Sequence, residues 1–366
     1  MFVTKSLRRL PTALKNNRVV RFTTFSDPEK AFFSRKRELT EFEKVFNYEV
    51  PRINVILGPP NTGKTTLVRE VVSRDNFKPL FIDCRGGHFN TPTSLYNSLI
   101  CQFDSFFNYK LSERHDYPEK TAKDIIKLLN IIGDGFFSSW KGQNEQLPIL
   151  IIDEVNKFSQ LVLDISHVTP YVVGDLCRDE AEEFLEKHVL PRHDSKVRKE
   201  LEGKFNYISE ITGTRMFIIN QFVDEYEIHK GDFEKFSVYQ QEYDRLRYGL
   251  YPEALNLANL ARNTHAPLWN ESDFTNTIKA IVESHKEFIF EHDLVKLIGK
   301  SKVDSLLKYK FLYKRPTNNF ANDIIYSPNC LNKPILTPMN QPSMYAMKNL
   351  LIQQYKKYSN VFSHTR

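Results

Sequence analysis

One run of residues combines glycines, a lysine and a hydroxyl in the order that phosphate binding requires. Gly58 and Gly63 are separated by four residues, and Lys64 and Thr65 follow directly. We call residues 58–65 the phosphate loop, because its glycines let the backbone curl until successive N–H groups point at phosphate oxygens. Lys64 is expected to reach the β and γ phosphates of a nucleotide, and the Thr65 hydroxyl to ligate Mg²⁺. The expected phosphate contacts are Gly58, Pro59, Pro60, Asn61, Thr62, Gly63, Lys64, Thr65 and Thr66.

An acidic pair further along the chain has the chemistry to complete this site. Asp153 and Glu154 directly follow the apolar run at residues 147–152. A carboxylate at the C-terminal end of a parallel strand faces the same crevice as the phosphate loop, so Asp153 is expected to hold the metal through its water shell. Glu154 is expected to orient or deprotonate the attacking water. The two motifs together predict binding of ATP and Mg²⁺, with Lys64 and Glu154 as catalytic residues.

Alternating strands and helices are predicted to position these two groups. Buried strands are predicted from apolar runs at residues 53–57, 79–83 and 147–152. Helical periodicity begins at residue 66 and recurs at residues 93–106 and 119–132. Strands that alternate with helices indicate a parallel sheet covered on both faces, and therefore an α/β fold.

The known group that this sequence resembles is the archaeal-type ATPases, relatives of the AAA+ and STAND NTPases and of origin-recognition ATPases. The pattern F-x-x-R-x-x-E-L at residues 32–39 resembles the family's entry segment, which passes close to the adenine. The phosphate loop and the acidic strand end resemble its Walker A and Walker B elements. Residues 171–176 and 180–184 resemble a strand and the first lid helix. The resemblance implies a P-loop NTPase fold and a nucleotide ligand, but no particular cellular task.

Four regions are predicted along the chain. They are a mitochondrial presequence at residues 1–26, a P-loop ATPase core at 27–176, a helical lid at 177–285 and a winged-helix domain at 286–366. The last region shows helical patterns at residues 292–298 and 301–308, a break at Gly299 and a strand pattern from residue 311, which is the order found in a winged helix. A final helix at residues 343–355 is predicted to pack on this domain. The aromatic residues predicted to form the lid core are Phe233, Phe236, Tyr239 and Tyr243.

The lid carries one candidate catalytic arginine. In the family, a Gly-Gly motif with a nearby sensor residue lies where this chain has residues 211–215, and Thr214 replaces the second glycine. The resemblance implies that Arg215 contacts the γ phosphate as a sensor. A lid arginine held in a salt bridge is the alternative.

The sequence departs from the family between Asp153 and the strand predicted at residue 171. The family's sheet has the strand order 5-1-4-3-2, and its strand 4 carries a polar sensor residue. Only residues 154–170 separate Asp153 from the next predicted strand, and a parallel crossover needs about a dozen residues or more. One β-α unit is therefore predicted to be missing. A spliced or mispredicted transcript, a differently closed sheet and a degenerate ATPase are the competing explanations.

This departure predicts weak hydrolysis, because no sensor Asn, Ser or Thr can be named to position the attacking water. An ATPase that couples Mg-ATP binding and weak hydrolysis to movement of its lid and winged helix is the first functional interpretation. A nucleotide-gated binding or scaffold module without turnover is the second, and a DNA-associated ATPase is the third. A protein client and a homo-oligomer are left open as partners.

Charge is distributed unevenly over this chain of net charge +6. Residues 1–26 carry six basic residues and no acid, residues 292–366 carry a net charge of +9, and the middle carries −9. The basic amphipathic pattern at residues 1–26 predicts import into the mitochondrial matrix, and a disordered basic arm in a cytoplasmic or nuclear protein is the alternative. The basic C-terminal region suits either DNA phosphates or docking on the acidic middle. The residues expected to contact DNA are Lys302, Lys308, Lys310, Lys314 and Arg315.

Two classes of protein are excluded by composition. No apolar run approaches the roughly 18 residues that a membrane-spanning helix needs. The four cysteines, Cys84, Cys101, Cys177 and Cys330, lie far apart in the sequence. They have neither the spacing of a zinc site nor the density of a secreted disulfide scaffold.

Overall fold

The computed structural model of the protein describes residues 33, 35–47, 53–74, 77–83, 91–107, 119–131, 147–153, 168–255, 266–284, 286–316, 320–321, 323–324 and 333–363. Arg35–Arg366 form one compact unit. The predicted presequence at residues 1–26 lies outside the described residues, so mitochondrial import stays a prediction.

Strands and helices alternate in the N-terminal part of the compact unit, as predicted. The elements are α1 (Lys36–Phe46), β1 (Ile53–Leu57), α2 (Lys64–Val72), β2 (Phe77–Asp83), α3 (Pro92–Phe107), α4 (Ala122–Ile131), β3 (Leu147–Asp153) and β4 (Val168–Val172). β1 has the predicted bounds, and β3 reaches Asp153, the predicted metal residue. β4 begins at Val168, three residues before the predicted start, and ends at Val172.

The four strands form two parallel pairs. β1 pairs with β4 from Ile53 to Leu57, and β2 pairs with β3 over seven residues that end with Asp83 beside Asp153. These pairs correspond to the two ends of the family order 5-1-4-3-2. No strand among the described residues joins the β1–β4 pair to the β2–β3 pair through backbone hydrogen bonds. The predicted loss of a β-α unit falls on residues 154–167, which lie outside the described residues.

Buried apolar side chains pack α1 against both α2 and β4. Leu39 and Phe42 of α1 and Leu67 and Val71 of α2 are almost inaccessible to solvent. The Phe42 ring contacts Tyr171 in β4, with ring centroids 5.6 Å apart. Burying side chains of this size stabilises a fold by about 1.5–3 kcal/mol each, so the phosphate loop between β1 and α2 has a rigid support.

Helices occupy most of residues 178–282. They are α5 (Arg178–Phe184), α6 (Ser195–Leu201), α7 (Phe205–Thr212), α8 (Met216–His229), α9 (Ser237–Leu250) and α10 (Glu271–Val282), with a π-helical turn at Leu185–Val189 and 3₁₀ turns at Leu190–Arg192 and Phe233–Lys235. α6 and α7 are separate helices, because Gly203 between them has a φ of +72°, a left-handed conformation that ends a helix. No helix among the described residues is long and apolar enough to cross a membrane.

The predicted aromatic core of this helical region is confirmed. Phe233, Phe236 and Tyr239 are almost fully buried. Tyr243 is half-buried, and its hydroxyl donates a hydrogen bond to Gln353 at 2.7 Å. The aromatic residues therefore hold helices together, as the sequence analysis expected of them.

A small antiparallel sheet follows the helices. Its region contains β5 (Ile289–Phe290), α11 (Glu291–Ile298), α12 (Lys300–Lys308), β6 (Tyr313–Pro316) and β7 (Pro334–Thr337). β7 is central and pairs with both β5 and β6. The predicted order of helix, break, helix and strand is present, with Gly299 at a φ of +94° in the break. We call residues 286–337 the C-terminal module.

The last helix, α13 (Gln341–Ser363), does not pack where it was predicted to pack. It lies mainly against α7, α9 and α10 instead of the C-terminal module. The Tyr345 ring contacts the Phe233 and Tyr239 rings at centroid distances of 5.5 and 5.7 Å. Periodicity identifies the buried face of a helix but not the surface that covers it, so the sequence could not name this partner.

Candidate functional site

The phosphate loop has a backbone conformation that depends on its glycines. Gly63 has a φ of +82° and begins α2, and Asn61 also lies in the left-handed region with a φ of +63°. A Cβ atom on Gly58 would lie 2.2 Å from the carbonyl oxygen of Val173, far closer than real atoms approach. The end of β4 therefore leaves room only for glycine at the start of the loop.

The lysine of the loop is held over its own backbone. Lys64 Nζ donates hydrogen bonds to the carbonyl oxygens of Gly58 at 3.0 Å and Pro59 at 2.7 Å. The buried Thr62 hydroxyl also donates to the Pro59 carbonyl, at 3.1 Å. These contacts place a primary ammonium group beside the N-terminus of α2, where the helix dipole also favours negative charge.

The structure brings together the two predicted metal residues, which are 88 positions apart in the sequence. The Thr65 hydroxyl lies 3.1 and 2.9 Å from the two carboxylate oxygens of Asp153 and donates to them. A hydroxyl and a carboxylate beside a phosphate loop are oxygen ligands of the kind that Mg²⁺ takes. Together with the glycine-dependent cradle at Gly58, this donor set fits a magnesium ion with a nucleotide.

The other residues expected to contact phosphate differ in their exposure to solvent. Pro60, Asn61 and Thr66 are exposed, while Pro59 is buried. Glu154 lies outside the described residues, so its role as a base stays a prediction.

Arg215 adopts the salt-bridged arrangement that the sequence analysis gave as its alternative. Its Nε lies 2.7 Å and its second amino nitrogen 3.2 Å from the two carboxylate oxygens of Asp175. The Arg215 side chain is almost fully buried. A two-pronged, buried pair of this kind fixes the guanidinium plane, so the lid arginine is bonded to the segment that follows β4.

Sequence reasoning missed a second set of charged residues close to this segment. Asp323 accepts a hydrogen bond from the Asp175 N–H at 3.0 Å, and Arg315 donates twice to the Asp323 carboxylate, each time at 2.8 Å. Arg35 of the entry segment donates to the Gly174 carbonyl at 2.9 Å. These residues are up to 288 positions apart, and no spacing or periodicity in the sequence connects them.

Burial changes the acidity of two groups here. Burial alone would raise the pKa of Asp323, but the Arg315 guanidinium and the Asp175 N–H hold this pKa below its ordinary value. Burial raises the pKa of Tyr313 to about 12, against the opposing effects of Arg315 and of the nearby Gly58 backbone. Tyr313 therefore links the C-terminal module to the first residue of the phosphate loop.

Three of the five residues expected to contact DNA are bonded within the chain. Lys302 pairs with Asp273 at 2.8 Å, Lys314 with Glu291 at 2.8 Å, and Arg315 with Asp323. The other two, at positions 308 and 310, are exposed. Part of the basic charge of this region is thus paired with acidic residues of the same chain.

Comparison with known proteins identifies relatives of the N-terminal part. Residues 32–173 match a family described as an ATPase domain predominantly from Archaea. An uncharacterized ATP-binding protein of Methanocaldococcus jannaschii is 30% identical over 100 residues, covering 26% of this chain and 27% of that protein. A second one from the same organism is 26% identical over 167 residues, covering 36% and 45%. This chain therefore spans less than half the length of these curated relatives.

Solved structures with low sequence identity were also found. The Aeropyrum pernix ORC1 protein in complex with DNA is 12% identical, with a TM-score of 0.36 over 89% of this chain and 95% of that one. Drosophila ORC bound to DNA is 11% identical, with a TM-score of 0.32 over 94% and 96%. The family match agrees with the motifs, and residues 32–173 of this chain are thus similar to an ATPase domain found predominantly in Archaea.

Proposed function

We propose that this protein binds ATP with Mg²⁺ in the phosphate loop. The observation that carries the proposal is the contact of the Thr65 hydroxyl with both oxygens of Asp153, at 2.9 and 3.1 Å, at the residue that follows Lys64 in the phosphate loop. The family match and the similarity to archaeal ATP-binding proteins support the same ligand.

The proposed chemistry follows from the charges at the loop. Lys64 exchanges its bonds to the Gly58 and Pro59 carbonyls for the more negative oxygens of the β and γ phosphates. Thr65 and Asp153 hold Mg²⁺, which when bound supplies positive charge that neutralises the phosphates. Glu154 orients or deprotonates the attacking water.

We propose that hydrolysis is weak. Arg215 is held by Asp175 and acts on the γ phosphate only after this buried pair has opened, which is costly. The short connection at residues 154–167 leaves little chain for the sensor strand of the family. The predicted core at 27–176, lid at 177–285 and winged helix at 286–366 are retained as the parts that nucleotide binding would move.

Equilibrium binding of labelled ATP to the full chain tests this function. Lys64→Ala is expected to weaken binding about 10- to 100-fold, because a charge-assisted hydrogen bond contributes about 1.5–3 kcal/mol. Lys44→Ala is the matched control, since Lys44 is an exposed lysine of α1 that forms a salt bridge with the exposed Glu41. Equal affinity for ATP in wild type and Lys64→Ala would contradict the proposal.

Turnover measured on the same samples separates the ATPase from a nucleotide-gated module. The salt-bridged state of Arg215 favours the second candidate, in which ATP occupancy sets the conformation and turnover is incidental. We expect slow ATP cleavage that Glu154→Gln removes while ATP binding persists. Rapid single-turnover cleavage, abolished by the same change, would instead establish a fully active ATPase.

A further inference from the structure

The buried carboxylate of Asp323, in the C-terminal module, lies against residues 173–175, which follow β4 and contact the start of the phosphate loop. A Cβ atom on Gly174 would lie 2.2 Å from an Asp323 carboxylate oxygen, so Asp323 touches the backbone at this point. The same carboxylate accepts the Asp175 N–H at 3.0 Å. Only glycine at position 174 permits this approach.

The other side of this segment contacts the phosphate loop itself. The Val173 N–H donates to the Leu57 carbonyl at 2.8 Å, and the Val173 carbonyl occupies the space that a side chain on Gly58 would need. Residues 173–175 are therefore clamped between the start of the loop and Asp323. Packed interiors transmit displacement because they contain almost no free volume, so neither side can shift alone.

The inserted carboxylate is itself held rigidly. Arg315 binds both of its oxygens at 2.8 Å, and the two side chains are 3% and 8% exposed. Arg315 and Tyr313 are two positions apart in β6 and so project from the same face of the strand. Tyr313 contacts Gly58, which gives the module a second point of attachment to the loop.

We propose that Asp323 is a positioning residue for the phosphate loop, through which the C-terminal module retards nucleotide exchange and responds to nucleotide occupancy. This inference rests on the proposed function, because it assigns regulation to the same site. The carboxylate that holds residues 173–175 belongs to this chain, and Arg315 fixes that carboxylate in place.

Release of a fluorescent ATP analogue from the full chain provides the test. Asp323→Asn keeps the side-chain shape but removes the charge, and we expect it to accelerate release at least about 5-fold. It should also abolish the nucleotide-dependent change in hydrogen exchange of the β6 amides. Asp273→Asn is the control, because Asp273 is a largely buried carboxylate whose ion pair is with Lys302 and not with a residue beside the phosphate loop. We expect this control to behave as wild type in both measurements.

The outcomes distinguish failure of the inference about Asp323 from failure of the proposed ATP binding. Wild-type release and wild-type exchange in a folded Asp323→Asn protein would overturn the inference and leave ATP binding intact. If wild type binds no nucleotide, the proposed function fails and the inference fails with it. Should Asp323→Asn not fold, Tyr313→Phe answers the question, because it retains the ring and removes only the hydroxyl. Unchanged release and exchange in Tyr313→Phe would then overturn the inference.

Discussion

At the scale of single residues, the site depends on a few polar atoms with fixed partners. Thr65 and Asp153 share hydrogen bonds, Lys64 covers the loop, and Arg215 binds Asp175. Asp323 and its partner Arg315 are both almost fully buried. A buried ion pair is sensitive to protonation, since loss of one charge leaves the other without compensation.

This pair predicts a specific dependence of stability on pH. The pKa of Asp323 is lower in the folded protein than its ordinary value of 3.8, so the unfolded chain binds the proton more tightly. The stabilisation is fully present above pH 3.8 and is lost as the pH falls through the folded-state pKa. Asp323→Asn is expected to lose about 3–5 kcal/mol of unfolding free energy near neutral pH.

Chemical denaturation of wild type and Asp323→Asn over a series of pH values measures this effect. The difference between the two proteins should be constant near neutral pH and shrink in acid below the ordinary pKa. A difference that is independent of pH into strong acid would mean that Asp323 acts through its shape and not through its charge.

At the scale of elements, one long helix joins regions that are distant in sequence. α13 packs on α7, α9 and α10, with Met344, Met347, Leu350 and Leu351 buried. Asn349 of the same helix donates to the Tyr239 hydroxyl at 2.8 Å. The helix therefore follows the C-terminal module in sequence but stabilises the helical region that precedes that module.

Two aliphatic residues of α13, one buried and one exposed, allow the effect of burial on stability to be measured apart from the effect of helix propensity. Leu350 is 4% exposed, whereas Ile352 is 50% exposed. Leu350→Ala is expected to lower the unfolding free energy by about 2–5 kcal/mol through lost burial and a residual cavity. Ile352→Ala should cost much less, and thermal unfolding of both variants checks this. Equal losses would show that α13 does not pack as described.

At the scale of the whole molecule, several basic residues of the C-terminal region form ion pairs with acidic residues of the same chain. Residues 292–366 carry a net charge of +9 and the middle of the chain carries −9. Lys302 and Lys314 pair with Asp273 and Glu291, and Arg315 with Asp323. Intramolecular pairing reduces the number of cations that remain at the surface for an external polyanion.

This pairing predicts a weak response to DNA. Because Lys302, Lys314 and Arg315 of the expected set are held in ion pairs, Lys308 and Lys310 are expected to neutralise about two phosphates. The logarithm of affinity should therefore fall with the logarithm of salt at a slope of about −2. Fluorescence anisotropy with a labelled duplex over a range of salt concentrations gives this slope. A slope several times steeper, reduced by Lys308→Ala and Lys310→Ala, would favour the DNA-associated interpretation.

The sequence by itself determined the elements and motifs whose information is local. The glycine spacing at 58 and 63, the apolar strands before Lys64 and before Glu154, and the helical periodicities all arise within about a dozen consecutive residues. Such patterns reflect backbone geometry and one-sided burial, which depend little on distant parts of the chain. The α/β arrangement, the meeting of the loop with Asp153, and the break at Gly299 could therefore be predicted.

Only the tertiary structure decided which distant surfaces meet. It placed Asp323 against Gly174, paired Arg215 with Asp175, and covered α13 with helices from the middle of the chain. Each of these contacts depends on complementary shape and charge between segments far apart in sequence. A charged residue looks the same in a sequence whether it faces water, DNA or a buried partner, and the packed fold is what distinguishes these surroundings.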